Sequence, residues 1–212
     1  MKYQKLYIVP FYNNRYMKKL TIIKGYHNIY IETSMQRVIE LFFKYPDKEF
    51  SLSDVAKEAR VKKSNLNKIL NELHKNNLIN IVKLKNIWRI KANGDEWNFI
   101  KYKIVYNLNF IYTSGLIDYL TEYFNNPKSI ILFGSFAKGE DNTDSDIDIA
   151  IYAEKIKEYK TVNIDKLKNY EKEVNRKIQI HLFNYNVVDI NIFNNIANGI
   201  VLSGNLEVKP YG

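Results

Sequence analysis

The segment from residue 131 to residue 152 constrains the possible folds more than any other part of this 212-residue chain. It consists of an apolar run, a Gly-Ser pair, a short helical stretch, an acidic loop and a second apolar run that carries Asp146 and Asp148. Side chains alternate between the two faces of a strand, so we expect both aspartates on one face and the intervening isoleucines on the other. The segment therefore predicts two sheet strands, joined by a turn and a short helix, with a pair of parallel carboxylates.

The paired carboxylates predict a site for a hard divalent cation. Mg²⁺ prefers a few carboxylate oxygens and completes its octahedron with water and substrate phosphates, so Asp146 and Asp148 are the candidate metal-binding and catalytic residues. Gly134 and Ser135 are the candidates for phosphate binding, because glycine lets the backbone approach closely and the following N–H groups point toward the anion. Lys138, one helical turn further on, is a candidate for contacting the same phosphates.

The combination of an apolar strand, Gly134-Ser135, ten intervening residues and Asp146-x-Asp148 in a second apolar strand resembles the nucleotidyltransferase superfamily related to DNA polymerase β. The pattern is similar to that of the minimal nucleotidyltransferases of prokaryotes, including antitoxins paired with HEPN toxins, and we expect an archaeal source. The resemblance implies an NTP substrate, in the first place ATP, with Mg²⁺ as cofactor. The alternative is a solvated acidic loop before an ordinary strand, which would not require this spacing.

The run from Lys177 to Phe183 is expected to form the next strand of this sheet. Active polymerase-like members of the superfamily usually place a third carboxylate there, but here Gln179 occupies that place and can neither act as a base nor add charge to a metal. His181 shares the face of Gln179, either as a proton acceptor or as an ordinary core or surface histidine. Lys177 is a further candidate for contacting the triphosphate. The resemblance thus predicts the fold and a nucleotide site, and leaves catalysis open.

Composition narrows the cellular setting. The chain has no cysteine, so disulfides and thiolate metal sites are excluded and a reducing cytoplasm is expected. Lysines and an arginine interrupt every apolar stretch of residues 1–20, which is not the pattern of a signal peptide. No stretch approaches the ~20 apolar residues that span a membrane, so we expect no membrane partner.

The positive charge lies almost entirely in the N-terminal half. Residues 1–95 contain 19 Lys and Arg against 8 Asp and Glu, whereas residues 96–212 contain 13 against 15. A basic module joined to a nearly neutral one is typical of a nucleic-acid-binding domain fused to another activity. Lysines that only make the surface soluble would give the same count.

Residues 35–90 read as helix, short strand, helix, turn, helix and a two-stranded hairpin. The expected helices are 35–44, a second that Ser51 or Ser53 caps and that runs to about residue 59, and a third that Ser64 opens. The strands are expected at 78–82 and 87–90. This order resembles a winged helix-turn-helix domain, with residues 62–75 as the recognition helix and the hairpin as the wing.

The resemblance assigns double-stranded DNA to the polar face of the third helix and to the hairpin. A protein-docking or dimerisation module is the alternative, because the same three-helix unit serves both purposes. We favour DNA, since the cationic and amide side chains cluster on the elements that would face it. The candidate DNA-binding residues are Lys62, Lys63, Asn65, Asn67, Lys68, Asn71, Lys83 and Lys85.

We predict an α+β chain of two domains, a winged helix-turn-helix followed by a nucleotidyltransferase fold with a mixed β-sheet flanked by helices. The boundaries are a β-rich extension at 1–33, a winged helix domain at 34–93 and a nucleotidyltransferase domain at 94–212, with bridging helices at 94–126. The tyrosines of the extension either stack on bases or belong to strands or an oligomer surface. Residues 155–175 are expected to be mostly helical, and no flexible linker separates the domains.

Two functions remain in competition. The first is a nucleotidyltransferase that transfers a nucleoside monophosphate from Mg-NTP to a protein, nucleic acid or small hydroxyl acceptor. The minimal antitoxins that the chain resembles are thought to attach AMP to a tyrosine of a partner protein. The second is a DNA-binding regulator whose transferase domain has weak or no activity and senses nucleotide or mediates a homodimer. Gln179 favours the regulator, and the intact Asp146-x-Asp148 favours the enzyme.

Overall fold

A computed structural model of the protein describes residues 33–85 and 87–208, which belong to one compact unit. The strands expected within residues 5–30 lie outside the described residues. In the described part no helix is long and apolar enough to cross a membrane. The α+β class is confirmed, as is a mixed sheet flanked by helices.

The described elements alternate between helices and short strands. The helices are α1 (Ser34–Lys44), α2 (Leu52–Glu58), α3 (Lys63–Lys75), α4 (Trp97–Thr113), α5 (Leu116–Tyr123), α6 (Gly134–Lys138), α7 (Lys168–Val174) and α8 (Ile190–Ala197). The strands are β1 (Glu49–Phe50), β2 (Ile79–Leu84), β3 (Ile87–Ala92), β4 (Ser129–Phe133), β5 (Ile147–Tyr152), β6 (Lys160–Val162), β7 (Ile178–Phe183) and β8 (Ile200–Gly204).

The elements from α1 to β3 form around one apolar core. Ser51 caps α2 in a capping box: its hydroxyl accepts the Asp54 N–H, and the Asp54 carboxylate accepts the Ser51 N–H. The next helix, α3, begins at Lys63, one residue before the predicted Ser64, and its apolar face is fully buried. The core residues contributed by α3 are Leu66, Ile69, Leu70 and Leu73.

The hairpin belongs to a three-stranded antiparallel sheet in the order β1-β3-β2. The short β1 pairs Phe50 with Ile90, and β2 pairs with β3 from Ile79 opposite Ala92 to Leu84 opposite Ile87. Both hairpin strands extend two residues beyond their predicted ends at residues 82 and 90, and β2 begins one residue later than predicted. Lysines at 83 and 85 therefore lie at the tip of a regular ladder.

The second sheet has the order β6-β7-β5-β4-β8 and is mixed. The central pair of strands, β5 and β7, runs parallel with Asp148 opposite Gln179 and Ala150 opposite His181. The flanking strand β4 runs antiparallel to β5, with Phe133 opposite Asp148. This register brings the end of β4 and the beginnings of β5 and β7 to the same end of the sheet.

The two faces of the second sheet differ in what covers them. One face carries Ile147, Ile149 and Ile151 into the core below α4 and α5, where Ile111, Leu116 and Leu120 are fully buried. The other face carries Phe133, Ala150 and Phe183 against Ile196 of α8. The alternation expected for β5 is thus confirmed, because its isoleucines and its aspartate lie on opposite faces.

The long helix α4 contributes to both parts of the described chain. Near its start Phe99 is buried in the core that α1, α2 and α3 form, with its ring centroid 5.1 Å from that of Phe43. Near its end Ile111 is buried in the core of the second sheet. The absence of a flexible linker, predicted from the sequence, agrees with this continuous helix.

The prediction of a mostly helical region at 155–175 is wrong in its first half. Residues 160–162 form β6, which pairs with β7 at the edge of the sheet. A 3₁₀ turn at Asp165–Leu167 then leads into α7, which begins at Lys168. The stretch is rich in residues that suit a half-buried strand, such as Tyr159, Thr161 and Val162. Two further elements, α8 and β8, were not expected. The hydroxyl of Ser114 accepts the Leu116 N–H, and Gly115 is the residue immediately before α5.

We expect Leu70→Ala to lower the free energy of unfolding by about 2–5 kcal/mol, because the fully buried side chain of α3 would leave a cavity. Leu84→Ala is the matched control, since Leu84 is 51% exposed on the hairpin and its loss should change stability by less than about 0.5 kcal/mol. Urea unfolding of both variants measures the difference. Equal losses would contradict the burial described for α3.

Candidate active site

The two aspartates of the predicted site lie together at the end of the second sheet where β5 begins. Asp146 immediately precedes β5 and Asp148 is its second residue, with 25% of its side chain exposed. Both lie on the face of the second sheet opposite the core that packs against α4 and α5. The geometry therefore brings the two carboxylates to one half-exposed surface, as their spacing predicts.

Gly134 lies directly against Asp148. Its φ of +75° is in the left-handed region, and a methyl group added at this position would overlap Oδ2 of the Asp148 carboxylate. Glycine is needed here for two separate reasons, the backbone conformation and the close approach of a carboxylate. The turn after β4 and the aspartate of β5 thus form one unit.

Gln179 and His181 of β7 each hold one of the two aspartates. The Gln179 side-chain amide donates a hydrogen bond to Oδ2 of Asp146. His181 Nε2 lies 3.1 Å from Oδ1 of Asp148. The remaining oxygens, Oδ1 of Asp146 and Oδ2 of Asp148, accept no hydrogen bond from the described residues. Each carboxylate therefore keeps one oxygen for a ligand.

His181 is neither an isolated surface residue nor an apolar core residue. Its side chain is only 9% exposed, and its Nδ1 is hydrogen-bonded to the hydroxyl of Tyr159. Burial, and to a lesser degree the charge of Asp148, raise the pKa of Tyr159. Sequence reasoning missed Tyr159, because the residue lies in a stretch that was expected to be helical and its approach depends on the pairing of β6 with β7.

The other predicted phosphate-binding residues occupy less defined positions. Ser135 is half-buried in the first turn of α6, and its carbonyl accepts the Glu140 N–H. Lys138 is exposed at the end of α6 and forms no hydrogen bond or ion pair with either aspartate in the described chain. Lys177 is exposed, and its carbonyl accepts the Ile147 N–H. The structure places Gly134 against Asp148, while the side chains of Lys138 and Lys177 form no hydrogen bond or ion pair with either aspartate in the described part of the chain.

A buried ion cluster holds the loop that leads into Asp146. Asp141 is 2% exposed and accepts hydrogen bonds from Lys103 and Asn107 of α4 and from Arg176, which precedes β7. Desolvation lowers the pKa of Lys103, and the charge of Asp141 opposes that shift. Because an unpaired buried charge is costly, these groups must stay together. Sequence patterns did not predict this cluster, because its partners are far apart along the chain.

The same loop is tied to the end of α1. Thr143 donates hydrogen bonds from its N–H and its hydroxyl to Oδ1 of Asp47, and Arg176 donates one to the carbonyl of Lys44. Burial alone would raise the pKa of Asp47, but the hydrogen bonds from Thr143 outweigh it and the pKa falls below its ordinary value. The loop before Asp146 is therefore fixed from both halves of the described chain.

The donor set fits a single Mg²⁺ ion. Two carboxylate oxygens on one face that accept no hydrogen bond from the described residues are what Mg²⁺ takes from a protein when a nucleotide supplies other ligands. Within the described residues there is no cluster of three or more His, Cys, Asp or Glu side chains that would hold a metal without substrate. Gln179 supplies an amide where a third carboxylate would add charge, which lowers the affinity expected for a second ion.

A polar cleft of about 320 Å³ lies away from the aspartate pair. It lies between β2, β3 and the loop after α6, and its lining includes Asn80, Lys91, Lys103 and Glu140. Neither Asp146 nor Asp148 contributes to it. The aspartates instead lie on a half-exposed surface outside this cleft.

The candidate DNA-binding residues share one property, which is exposure. Six of them lie on or just before the polar face of α3, opposite its buried leucines, and two lie on the hairpin. Two lysines also make local contacts, as Lys63 donates to the Ser53 hydroxyl at 2.8 Å and Lys83 lies 4.2 Å from the Trp88 ring centroid. The exposed residues are Lys62, Lys63, Asn65, Asn67, Lys68, Asn71, Lys83 and Lys85.

Comparison with known families matches the part of the chain that contains the aspartate pair. Residues 115–207 match the family model described as polymerase beta, nucleotidyltransferase. The match supports the nucleotidyltransferase superfamily and spans β4, β5, β7 and the Gly134 turn. Members of this superfamily generally use Mg²⁺ and an NTP, so the fold implies a nucleotide substrate and a nucleotidyl transfer function. No curated protein and no solved structure matches the chain.

The nucleotidyltransferase match leads to a prediction about the Gly134 turn. We expect Gly134→Ala to weaken binding of Mg-ATP by at least tenfold, because the methyl group would displace the Asp148 carboxylate. Gly115→Ala is the matched control, since Gly115 has a similar φ of +79° but open space around a built Cβ atom.

Both substitutions are expected to cost about 1 kcal/mol of stability through backbone strain. Only the first should affect nucleotide binding, measured by equilibrium dialysis with labelled ATP. Equal loss of binding in both variants would show that strain alone, and not the contact with Asp148, accounts for the effect.

Proposed function

We propose that the protein is a nucleotidyltransferase that moves a nucleoside monophosphate from Mg-NTP to a hydroxyl acceptor. The observation that carries the proposal is the approach of Asp148 to the Gly134 turn, with Asp146 on the same surface. A metal-binding pair and a phosphate-binding turn in direct contact are what nucleotidyl transfer requires. The family match over residues 115–207 supports the same chemistry.

The proposed roles follow from the positions of the side chains. Asp146 and Asp148 hold Mg²⁺, which neutralises the charge of the triphosphate. Gly134 and Ser135 bind the β and γ phosphates, and Lys138 reaches them from the end of α6. The acceptor oxygen forms a bond to the α phosphorus as the bond to the leaving pyrophosphate breaks, and the hydroxyl proton passes to solvent.

The amide at position 179 limits the rate that we expect. Gln179 donates a hydrogen bond to Asp146 and cannot accept the proton of the acceptor hydroxyl. Positioning and charge neutralisation remain available to the other residues, and these supply much of the acceleration of phosphoryl transfer. We therefore propose a slow transferase, with ATP as donor and with a protein hydroxyl, a nucleic acid or a small molecule as acceptor.

We also propose that the elements α1 to β3 are a winged helix domain, within residues 34–93, that binds double-stranded DNA. The support is the exposure of eight cationic or amide residues on α3 and the hairpin, opposite a fully buried apolar face. Cations of this kind contact phosphates, while asparagines suit adenine edges in the major groove. The nucleotidyltransferase domain is proposed to follow from residue 94.

The second candidate function is a cytoplasmic DNA-binding regulator of archaeal origin whose nucleotidyltransferase domain senses nucleotide or forms a homodimer. Gln179 favours it, because the site lacks a carboxylate where a base would stand. The connections between the loop before Asp146 and the end of α1 also favour it, since nucleotide bound at the aspartates would be linked to the α1 to β3 elements. The two functions differ in whether a labelled product forms.

We expect the protein, incubated with Mg²⁺, α-labelled ATP and a lysate as the source of acceptors, to form a labelled product. Asp146→Asn should reduce labelling by at least 100-fold, because the amide cannot supply a charged metal ligand. Asp144→Asn is the matched control, since Asp144 is exposed in the same loop and should leave labelling unchanged.

Absence of labelling by the unchanged protein, together with nucleotide binding that Asp146→Asn abolishes, would reject nucleotidyl transfer and favour the DNA-binding regulator. Absence of both labelling and nucleotide binding would reject the two functions as stated.

We expect binding to double-stranded DNA to weaken steeply as salt rises. Lys68→Ala should reduce the slope of log affinity against log salt by about one unit, the value of one phosphate contact. The matched control is Lys172→Ala, which removes an exposed lysine of α7 and should not alter the slope. Fluorescence anisotropy over a range of salt concentrations measures both, and a flat salt response would favour a protein-docking role for α3.

A further inference from the structure

Tyr159 lies beside the aspartate pair although no step of the proposed reaction uses it. Its hydroxyl is hydrogen-bonded to His181 Nδ1, and His181 Nε2 lies 3.1 Å from Oδ1 of Asp148. The three side chains therefore form a continuous chain of hydrogen bonds from the β6 edge of the sheet to the site. A histidine buried for packing alone would not require polar partners on both of its nitrogens.

The imidazole in the middle of this chain is held on both sides. The ring of Tyr159 stacks on it with a centroid distance of 5.9 Å and an interplanar angle of 29°. The ring of Phe133 meets it edge to face at 5.0 Å and 71°. Ala150, which pairs with His181 in register, has only a methyl group and leaves room for the imidazole to reach Asp148. The direction of its Nε2–H bond is thus set by packing.

The hydrogen-bond partners also select one tautomer of the imidazole. An ionised Asp148 can only accept, so Nε2 must carry the hydrogen. In the neutral ring Nδ1 then accepts, and the Tyr159 hydroxyl is the donor. The hydroxyl therefore keeps the N–H directed at the carboxylate.

We propose that His181 and Tyr159 are positioning residues that fix the Asp148 carboxylate for its metal ion. With Oδ1 engaged by His181, Oδ2 faces Gly134, the turn to which the proposed function assigns the phosphates. Partners that orient a ligating carboxylate in this way typically change metal affinity by 10–100-fold when removed. The proposal rests on the proposed function, because it takes Asp148 as a metal ligand.

The test measures binding of Mn²⁺ by electron paramagnetic resonance in the presence of a non-hydrolysable ATP analogue. His181→Phe keeps a ring between Phe133 and Tyr159 but removes both hydrogen bonds, and we expect Mn²⁺ to bind about 10–100-fold more weakly. Tyr159→Phe removes one hydroxyl and should weaken binding in the same direction by a smaller factor. His181→Gln, which returns an N–H donor toward Asp148, should recover part of the affinity.

Tyr185→Phe is the matched control, because Tyr185 donates its hydroxyl to the Glu207 carbonyl and has no contact with His181. Its Mn²⁺ affinity should equal that of the unchanged protein. Urea unfolding of each variant separates metal affinity from stability. If His181→Phe does not fold, Tyr159→Phe and His181→Gln carry the test.

Two outcomes would overturn the proposal, and they differ. Normal Mn²⁺ affinity in the His181 and Tyr159 variants, with binding abolished in Asp148→Asn, would overturn the positioning role alone and leave the proposed metal site in place. Failure of the unchanged protein to bind Mn²⁺ with the analogue would overturn the metal site and the positioning role together.

Discussion

The burial of Asp141 with Lys103 and Arg176 is the constraint on which the arrangement of the described chain depends. The side chains of all three residues are at most 2% exposed, so each charge has lost its water and relies on the others. Removing one partner of such a group typically costs about 3–5 kcal/mol, because it leaves an uncompensated charge in the interior. The three residues come from α4, the loop before β5 and the start of β7. Their pairing therefore fixes the elements that carry the aspartates and the residues that contact them.

This constraint explains how the loop that carries Asp146 is positioned. Gly139 follows α6 and lies so close to α4 that a side chain would not fit there. Two residues later, Asp141 is buried in the interior. The chain then returns to the surface at Thr143, where Asp47 holds it, and enters β5 at Ile147. The carboxylate of Asp146 is thus placed by the loop, whereas that of Asp148 is placed by the strand.

The sequence was sufficient for the elements whose patterns are local. The period of two in β5, the spacing of the leucines in α3 and the capping serine of α2 each predicted what is observed, because each depends on neighbours along the chain. The contacts of Tyr159 and Asp141 depend instead on residues 22 and 38 positions away, on a strand pairing and a buried charge that no local pattern encodes. For His181 the sequence predicted only part of the environment. Its face was predictable, but its partner at the β6 edge was not.

The helix α4 has a consequence for how freely the two halves could be exchanged. Its first turns bury Phe99 in the core of α1 to α3, while its last turns bury Ile111 under the second sheet. A recombination point between β3 and α4 would give a nucleotidyltransferase fragment with an aromatic side chain and its neighbours uncovered, and an N-terminal fragment with a gap in its core. Neither half is interchangeable with a foreign counterpart unless that counterpart supplies a matching surface.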